Sequence, residues 1–275
     1  MFSSSRRNVK GRLHRSLRRG HYNTEPKSIV SPNQLHLYEH KIKSQFGEDG
    51  IIQEIFRRIG TTNRLCVEFG GYDGIAMSNT ANLIMNHGWH GVFIEGSSKF
   101  CQQARSNYHK LGLEAKVSVY NNFITRENIA AIFKAAKIPK EFDFLSIDLD
   151  GNDYYVWQAL AMYRPRVLVI EYNASYPPPL KWIRPYDPNF AWDGSNNYGA
   201  SLNKFEELGK SMGYCLLGTE HMGCNAFFIR KDQLLRSGFK ELTAREAYNT
   251  PKYGTHIDGG HPPAGPGVQS PYQKR

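Results

Sequence analysis

The chain has 275 residues, of which 40% are hydrophobic, so it can bury the core of one domain with extensions at its ends. Its formal net charge of +10 comes mostly from residues 1–24, which carry seven basic residues and no acidic one and leave 28 basic against 25 acidic residues in the rest. No apolar run approaches the ~18 to 20 residues that a membrane span requires, so no transmembrane helix is expected.

The basic N-terminal segment differs in composition from everything that follows it. Residues 1–24 are rich in Arg and Ser and contain no acid, which predicts a disordered arm. The positive charge of residues 6–19 suits nucleic acid or an anionic membrane surface, and the composition also suits a targeting peptide. The sequence leaves these alternatives open. Residues 25–250 are predicted to form the folded domain.

From residue 47 to residue 172, helical spacing of apolar residues alternates with short continuous apolar runs. Helices are predicted at 47–59, between 79 and 88, and at 99–110, 127–137 and 154–162; strands are predicted at 64–70, 91–95, 115–120, 142–147 and 166–172. Strands that alternate with helices indicate parallel pairing. Their near-continuous apolar character indicates a sheet covered by helices on both faces.

The alternation stops after Tyr172. Residues 174–198 contain five prolines and several aromatic residues but show no period, which is typical of a lid or a substrate-binding loop. A helix at 201–212 and strands at 213–219 and 224–230 follow; the short link between these strands predicts an antiparallel hairpin. The fold expected is therefore α/β, with a Rossmann-like seven-stranded sheet. Residues 251–275, rich in Gly and Pro, are predicted to be a disordered tail.

The four cysteines give no indication of a metal site. Cys66, Cys101, Cys215 and Cys224 form no CxxC pair, and three of them fall in predicted strands. Buried free thiols are typical of a reducing compartment, so a cytoplasmic protein is expected.

A glycine-rich turn follows the first predicted strand, in VEFGGYDG at 67–74. Gly70, Gly71 and Gly74 let the backbone turn tightly and approach a ligand at the start of the next helix, although the spacing departs from the dinucleotide fingerprint GxGxxG. The second strand ends in Glu95, 27 residues after Glu68, where one carboxylate can accept from both hydroxyls of a ribose.

The acid before the turn, the glycines and the second acid together resemble class I S-adenosylmethionine-dependent methyltransferases. Longer stretches, among them SQFGEDGII (44–52), VEFGGYDGIAMSNT (67–80), GWHGVFIE (88–95) and VLVIEYN (167–173), resemble the FkbM-type methyltransferases over residues 40–232. The resemblance implies S-adenosylmethionine as cofactor and a sugar or glycan hydroxyl as acceptor. The cofactor-binding positions it implies are Glu68, Gly70, Gly71, Asp73, Gly74, Asn79, Glu95, Gly96, Asn121 and Asn122.

The stretch SIDLDGND at 146–153 holds three carboxylates where FkbM-type sequences more often have a single acid followed by Glu-Gly. In a parallel sheet the end of this strand lies beside the end of the next, which reads Glu171-Tyr172-Asn173. Asp148, Asp150, Glu171 and Asn173 then offer four oxygens that suit Mg²⁺ or Mn²⁺. Macrocin-type sugar O-methyltransferases, to which this pattern is similar, pair acids after the same two strands around a divalent metal. Asp153 is expected to cap the following helix instead.

Other interpretations remain open at this point. Asp148 could contact the methionine amine of the cofactor instead of a metal. The tripeptide Asp148-Leu149-Asp150 also matches the DxD motif of metal-dependent glycosyltransferases. A glycosyltransferase would not account for the glycine turn or for Glu95. A non-catalytic Rossmann-like binding protein with a basic arm is a third alternative. His221, in the hairpin turn, is a candidate general base because imidazole titrates near neutral pH.

Overall fold

The structure is a computed structural model that describes residues 33–263. The predicted basic arm at 1–24 and the last part of the predicted tail, 264–275, lie outside these residues. None of the described helices is both long and apolar enough to cross a membrane.

The described residues form a seven-stranded sheet in the order β3-β2-β1-β4-β5-β7-β6. The first five strands pair in parallel, whereas β7 runs antiparallel to both β5 and β6. This confirms the predicted Rossmann-like α/β fold with a terminal antiparallel hairpin. The strands are β1 (Leu65–Phe69), β2 (His90–Glu95), β3 (Val117–Asn121), β4 (Glu141–Ile147), β5 (Arg164–Glu171), β6 (Tyr214–Thr219) and β7 (Asn225–Arg230).

Eight α-helices accompany the sheet within residues 33–263. They are α1 (Glu48–Ile59), α2 (Ala81–His87), α3 (Ser98–Lys110), α4 (Ile129–Ala135), α5 (Asp153–Ala159), α6 (Leu202–Ser211), α7 (Lys231–Ser237) and α8 (Ala244–Ala247). The sequence predicts the first six, with longer bounds at several ends. The helices α7 and α8 are not predicted, because α7 has only two apolar residues, which are adjacent, and α8 has only four residues in all.

Two hydrophobic clusters cover the two faces of the sheet. One face packs against α1, α2 and α3, with Ile51, Ile55 and Tyr108 among its buried residues. The other packs against α4, α5 and α6, where Trp157 and Phe205 are buried. Consecutive strand residues alternate between the clusters, as the period of a β-strand requires. The sheet is therefore buried on both faces, as its continuous apolar strands predict.

A buried ion pair fixes the end of the sheet at which β1 begins. The carboxylate of Asp143, on β4, accepts hydrogen bonds from the backbone of Thr62, Asn63 and Arg64 just before β1. Arg166, on β5, donates to the same carboxylate at 2.9 Å. Burial alone would raise the pKa of Asp143, but the hydrogen bonds from Arg166 and Thr62 lower it below its usual value. This cluster joins three neighbouring strands at one end of the sheet. The carboxyl ends of the parallel strands, at the opposite end, are left for a ligand.

The segment 251–263 differs from the predicted disordered tail. Lys252 N–H donates to the carbonyl of Met222 at 2.8 Å, and Asn196 N–H donates to the carbonyl of Pro262 at 2.8 Å. The hydroxyls of Tyr198 and Tyr253 lie 2.8 Å apart. Backbone hydrogen bonds and aromatic contacts therefore hold these thirteen residues, although the stretch has no apolar period.

Candidate cofactor and metal site

A cavity of about 530 Å³ lies at the carboxyl ends of β1, β2, β4 and β5. In open α/β sheets, ligands bind at the carboxyl ends of the strands. The volume of the cavity is within the range of small-molecule sites. Of the residues that the sequence proposes as a site, the cavity is lined by Glu68, Gly70, Asn79, Glu95, Gly96, Asn122, Asp148, Asp150 and Glu171.

Gly70 sits where the turn after β1 touches the end of β4. Its φ of +68° lies in the left-handed region, and a Cβ there would be 2.1 Å from the carbonyl oxygen of Asp148. Only glycine allows this approach, because any other residue would place its Cβ against a backbone carbonyl, which cannot rotate away as a side chain can. The predicted role of Gly70 is close approach of the backbone to a ligand. In the structure Gly70 lines the cavity and also allows the turn to approach the end of β4.

Three of the predicted cofactor positions shape the turn from outside the cavity lining. Asp73 accepts from the backbone N–H groups of Ile75 and Ala76 at 3.0 and 2.8 Å. A Cβ on Gly74 would lie 3.0 Å from the ring of Tyr108, and one on Gly71 would lie 2.9 Å from the ring of Phe93. The spacing of the motif reflects these packing constraints.

Glu68 is buried, and its carboxylate is satisfied by neighbours. It accepts from the hydroxyls of Ser78 and Thr80 at 2.5 and 2.6 Å and from Asn79 N–H at 2.7 Å. Burial raises its pKa. These bonds join the segment before α2 to β1 and place the carboxamide of Asn79 on the cavity, where its Oδ1 has no hydrogen-bond partner within residues 33–263. Glu68 is thus a positioning residue, and Asn79 presents an acceptor atom.

Glu95 ends β2 on the cavity wall, as predicted. One carboxylate oxygen accepts from Ser97 N–H at 2.7 Å, and burial raises its pKa. Asn122 also lines the cavity, whereas Asn121 does not; Asn121 donates instead to the carbonyls of Glu95 and Gly96 and holds that turn.

The sequence prediction missed four apolar residues around Glu95. They form a largely apolar wall on this part of the cavity and are Tyr72, Phe100, Phe123 and Ile124. Phe123, in the loop after β3, is 53% exposed. The sequence signal was weak, because single apolar residues in loops are normally unremarkable.

The ends of β4 and β5 bring three acids together. One carboxylate oxygen from each of Asp148, Asp150 and Glu171 lies within 4.8 Å of the others. Burial raises the pKa of all three, and each is raised further by the neighbouring carboxylates, that of Asp150 to about 7. Glu171 is only 9% exposed, and its Oε2 has no hydrogen-bond partner among the described residues. Apart from the weak donor Cys224 Sγ–H on Glu171 Oε1, residues 33–263 supply these carboxylates with no hydrogen bond, so as anions they need a cation.

The predicted ligand Asn173 and the predicted cap Asp153 both lie outside the cavity lining. Asn173 is fully buried and donates to the carbonyls of Asn196 and Tyr198 at 2.7 and 2.8 Å, so it fixes the loop 174–198 and does not line the cavity. Asp153 is the first residue of α5 and not its N-cap; its carboxylate accepts from the backbone N–H groups of Leu149 and Gly151, before the helix, and so holds the turn that carries Asp150 rather than capping the helix as predicted.

His221 does not reach the cavity. Its imidazole pairs with the carboxylate of Glu39 on the surface. The hairpin does lie at the predicted end of the sheet, and its Cys224 lines the cavity, but Glu39 holds His221 away from the cavity.

No family model matches the sequence, and no curated protein matches it either. Similar solved structures include the O-methyltransferase from Bacillus cereus in complex with SAH, at 16% identity and a TM-score of 0.46 over 73% of this chain and 87% of that one. Another is a SAM-dependent methyltransferase from Thiobacillus denitrificans in complex with S-adenosyl-L-homocysteine, at 15% identity and a TM-score of 0.40 over 66% and 70%. At these identities and scores, the similarity concerns the arrangement of the sheet alone.

Proposed function

We propose that the protein is an S-adenosylmethionine-dependent methyltransferase that acts on a hydroxyl of a sugar or glycan with the help of a divalent cation. The observation that carries this proposal is one continuous cavity that joins Glu95, at the end of β2, to the acid cluster of Asp148, Asp150 and Glu171. A ribose-binding acid and a cation site would then serve the same bound molecules.

The residues around Glu95 fit the nucleoside part of the cofactor. The Glu95 carboxylate would accept from the ribose hydroxyls, the apolar wall that includes Phe100 and Phe123 would contact the base, and Asn122 would offer it a hydrogen bond. Oδ1 of Asn79 is buried and unpartnered among the described residues, which suits the positively charged methionine amine. The bound cofactor supplies an electrophilic methyl group on a sulfonium.

The acid cluster fits a hard cation. Octahedral Mg²⁺ holds oxygens at about 2.1 Å, so ligands on opposite sides of the ion are about 4.2 Å apart. Three ligands cannot all be opposite one another, and oxygens on neighbouring corners are about 3.0 Å apart, so oxygens within 4.8 Å of one another would close by up to about 1.8 Å around the ion. A cation there would lower the pKa of an acceptor alcohol and make it a better nucleophile.

Methyl-labelled S-adenosylmethionine tests this function directly. The protein would be incubated with labelled cofactor, Mg²⁺ and a panel of glycans, sugar derivatives, protein and RNA. We expect label in a glycan or sugar fraction, loss of that label with EDTA, and recovery when Mg²⁺ or Mn²⁺ is restored. Label in RNA or protein would assign a different acceptor. Release of nucleoside diphosphate from a sugar nucleotide, without methyl transfer, would favour the glycosyltransferase alternative.

A further inference from the structure

Part of the cavity wall comes from two segments outside the sheet. Phe190 and Trp192 belong to the loop 174–198, and Tyr253 and His261 belong to the segment 251–263. All four are aromatic, and none is among the residues that the sequence proposes as a site.

Contacts between the two segments hold this part of the cavity wall in place. The ring of Trp192 lies 4.4 Å from that of His261, and its Nε1–H donates to the carbonyl of Ser195 at 2.7 Å. Tyr253 contacts the His261 ring at 5.6 Å and pairs with the Tyr198 hydroxyl. The rings of Trp192 and Tyr253 are inclined to that of His261 by 65° and 57°, so the wall is angled, and the face of one such ring suits the apolar face of a pyranose ring.

Next to this wall, Asn152 presents a buried polar atom. Its side chain is 5% exposed, and its Nδ2 donates to the carbonyl of Asp187 at 2.8 Å. Its Oδ1 has no hydrogen-bond partner within residues 33–263, although Asn152 lines the cavity two residues from Asp150. A buried acceptor without a donor is costly, and a ligand hydroxyl would satisfy it.

His261 brings an imidazole into the same cavity. The structure gives its ring nitrogens no hydrogen bond to the described residues, and burial lowers its pKa below the ordinary 6.5, which leaves it neutral at pH 7. The titratable groups that face it are the hydroxyls of Tyr198 and Tyr253, whose pKa values burial raises. The carboxylates of the acid cluster line the same cavity. His261 can therefore accept a proton without first losing one.

We propose that this part of the cavity is the acceptor subsite of the methyltransferase proposed above, and that His261 is its general base. The sugar ring lies against Trp192, and one of its hydroxyls donates to Asn152 Oδ1. The reacting hydroxyl gives its proton to the imidazole of His261 and keeps the electron pair of the broken O–H bond. Its oxygen forms a bond to the methyl carbon as the bond from that carbon to sulfur breaks, which leaves neutral S-adenosylhomocysteine.

The test uses methyl α-D-glucopyranoside and methyl β-D-galactopyranoside as acceptors, with methyl-labelled S-adenosylmethionine and Mg²⁺. We expect the wild type to label at least one glycoside and its kcat to fall as the pH drops below 6.5, through the lowered pKa of His261. His261→Gln should lower kcat about a hundredfold or more and abolish that inflection. Trp192→Phe and Asn152→Ala should raise the KM for the glycoside more than they lower kcat. His221→Gln is the matched control outside the cavity and should change neither.

Calorimetric binding of S-adenosylhomocysteine separates this proposal from the proposed function. All the variants should bind it as the wild type does. If the wild type binds it but labels neither glycoside, or if His261→Gln keeps the rate and the pH inflection, the acceptor subsite is overturned while the cofactor assignment stands. If the wild type does not bind S-adenosylhomocysteine at all, the proposed function fails, and the subsite fails with it.

Discussion

Replacement of Gly70 by alanine is the perturbation whose cost the structure defines best. The new Cβ would lie 2.1 Å from the carbonyl oxygen of Asp148, whereas Cβ atoms in proteins keep at least 3.0 Å from other heavy atoms. The turn and the end of β4 must therefore separate by about 0.9 Å, and no flexible side chain can absorb the change.

The expected loss in the free energy of unfolding has two parts. A left-handed backbone costs alanine about 1 to 2 kcal/mol, and overpacking against a rigid neighbour adds about 1 to 3 kcal/mol. We expect Gly70→Ala to lower the free energy of unfolding by about 2 to 5 kcal/mol. Gly112→Ala is the matched control: its φ is +66°, and a Cβ there meets nothing within 4 Å, so only the first part applies.

Urea denaturation of the wild type and both variants measures the difference, and calorimetry with S-adenosylhomocysteine measures its effect on the site. Gly70→Ala should also weaken binding, since the shift displaces Asp148 within the cavity. Equal destabilisation of the two variants, or unchanged ligand affinity in Gly70→Ala, would refute the close-approach argument.

Three other predictions follow from the charges. Asp150→Asn should weaken Mn²⁺ binding, followed by electron paramagnetic resonance, by about tenfold or more, while the exposed Asp258→Asn leaves it unchanged; equal binding in the two variants would contradict the metal site. Asp143→Asn should cost about 3 to 5 kcal/mol in urea denaturation because it leaves Arg166 buried without its anion. Because its pKa is lowered on folding, the contribution of Asp143 should be full above pH 3.8 and be lost as the pH falls through the lowered value, and an unchanged acid limb in the variant would contradict this. Deletion of residues 1–24 should leave methyl transfer unchanged and remove any salt-sensitive affinity for nucleic acid; a loss of transfer would make the arm part of the site.

The alternation of strands and helices was enough to predict the fold, because continuous apolar strands linked by helices favour one parallel arrangement. The same reasoning placed Asp148 and Glu171 side by side, since parallel strands end at a common edge. This argument predicts at which strand end a side chain lies, but not which groups the side chain contacts. Glu68 and Glu95 both lie at strand ends, yet only the structure shows that Ser78 and Thr80 satisfy the first.

Residues brought in by irregular segments could not be predicted from local pattern. Asn173 follows Glu171 at the right spacing for a ligand, but the return of the loop places two carbonyl groups on its carboxamide. His261 lies in a stretch whose composition indicates disorder, and tertiary contacts with Trp192, Tyr198 and Tyr253 place it on the cavity. His221 lies at the expected end of the sheet, but a contact with Glu39, 182 residues away in the chain, holds it outside the cavity, and local pattern cannot predict such a contact.

The most direct test of the central claim is calorimetric titration of the protein with S-adenosylhomocysteine, in the wild type and in Glu95→Gln. Glutamine keeps an oxygen that can accept from Ser97 N–H but removes the charge and one acceptor for the ribose hydroxyls. The account predicts one site in the wild type, binding weaker by about 1 to 3 kcal/mol in Glu95→Gln, and no change in the exposed control Glu114→Gln. Absence of binding in the wild type, or equal affinity in Glu95→Gln, would contradict it.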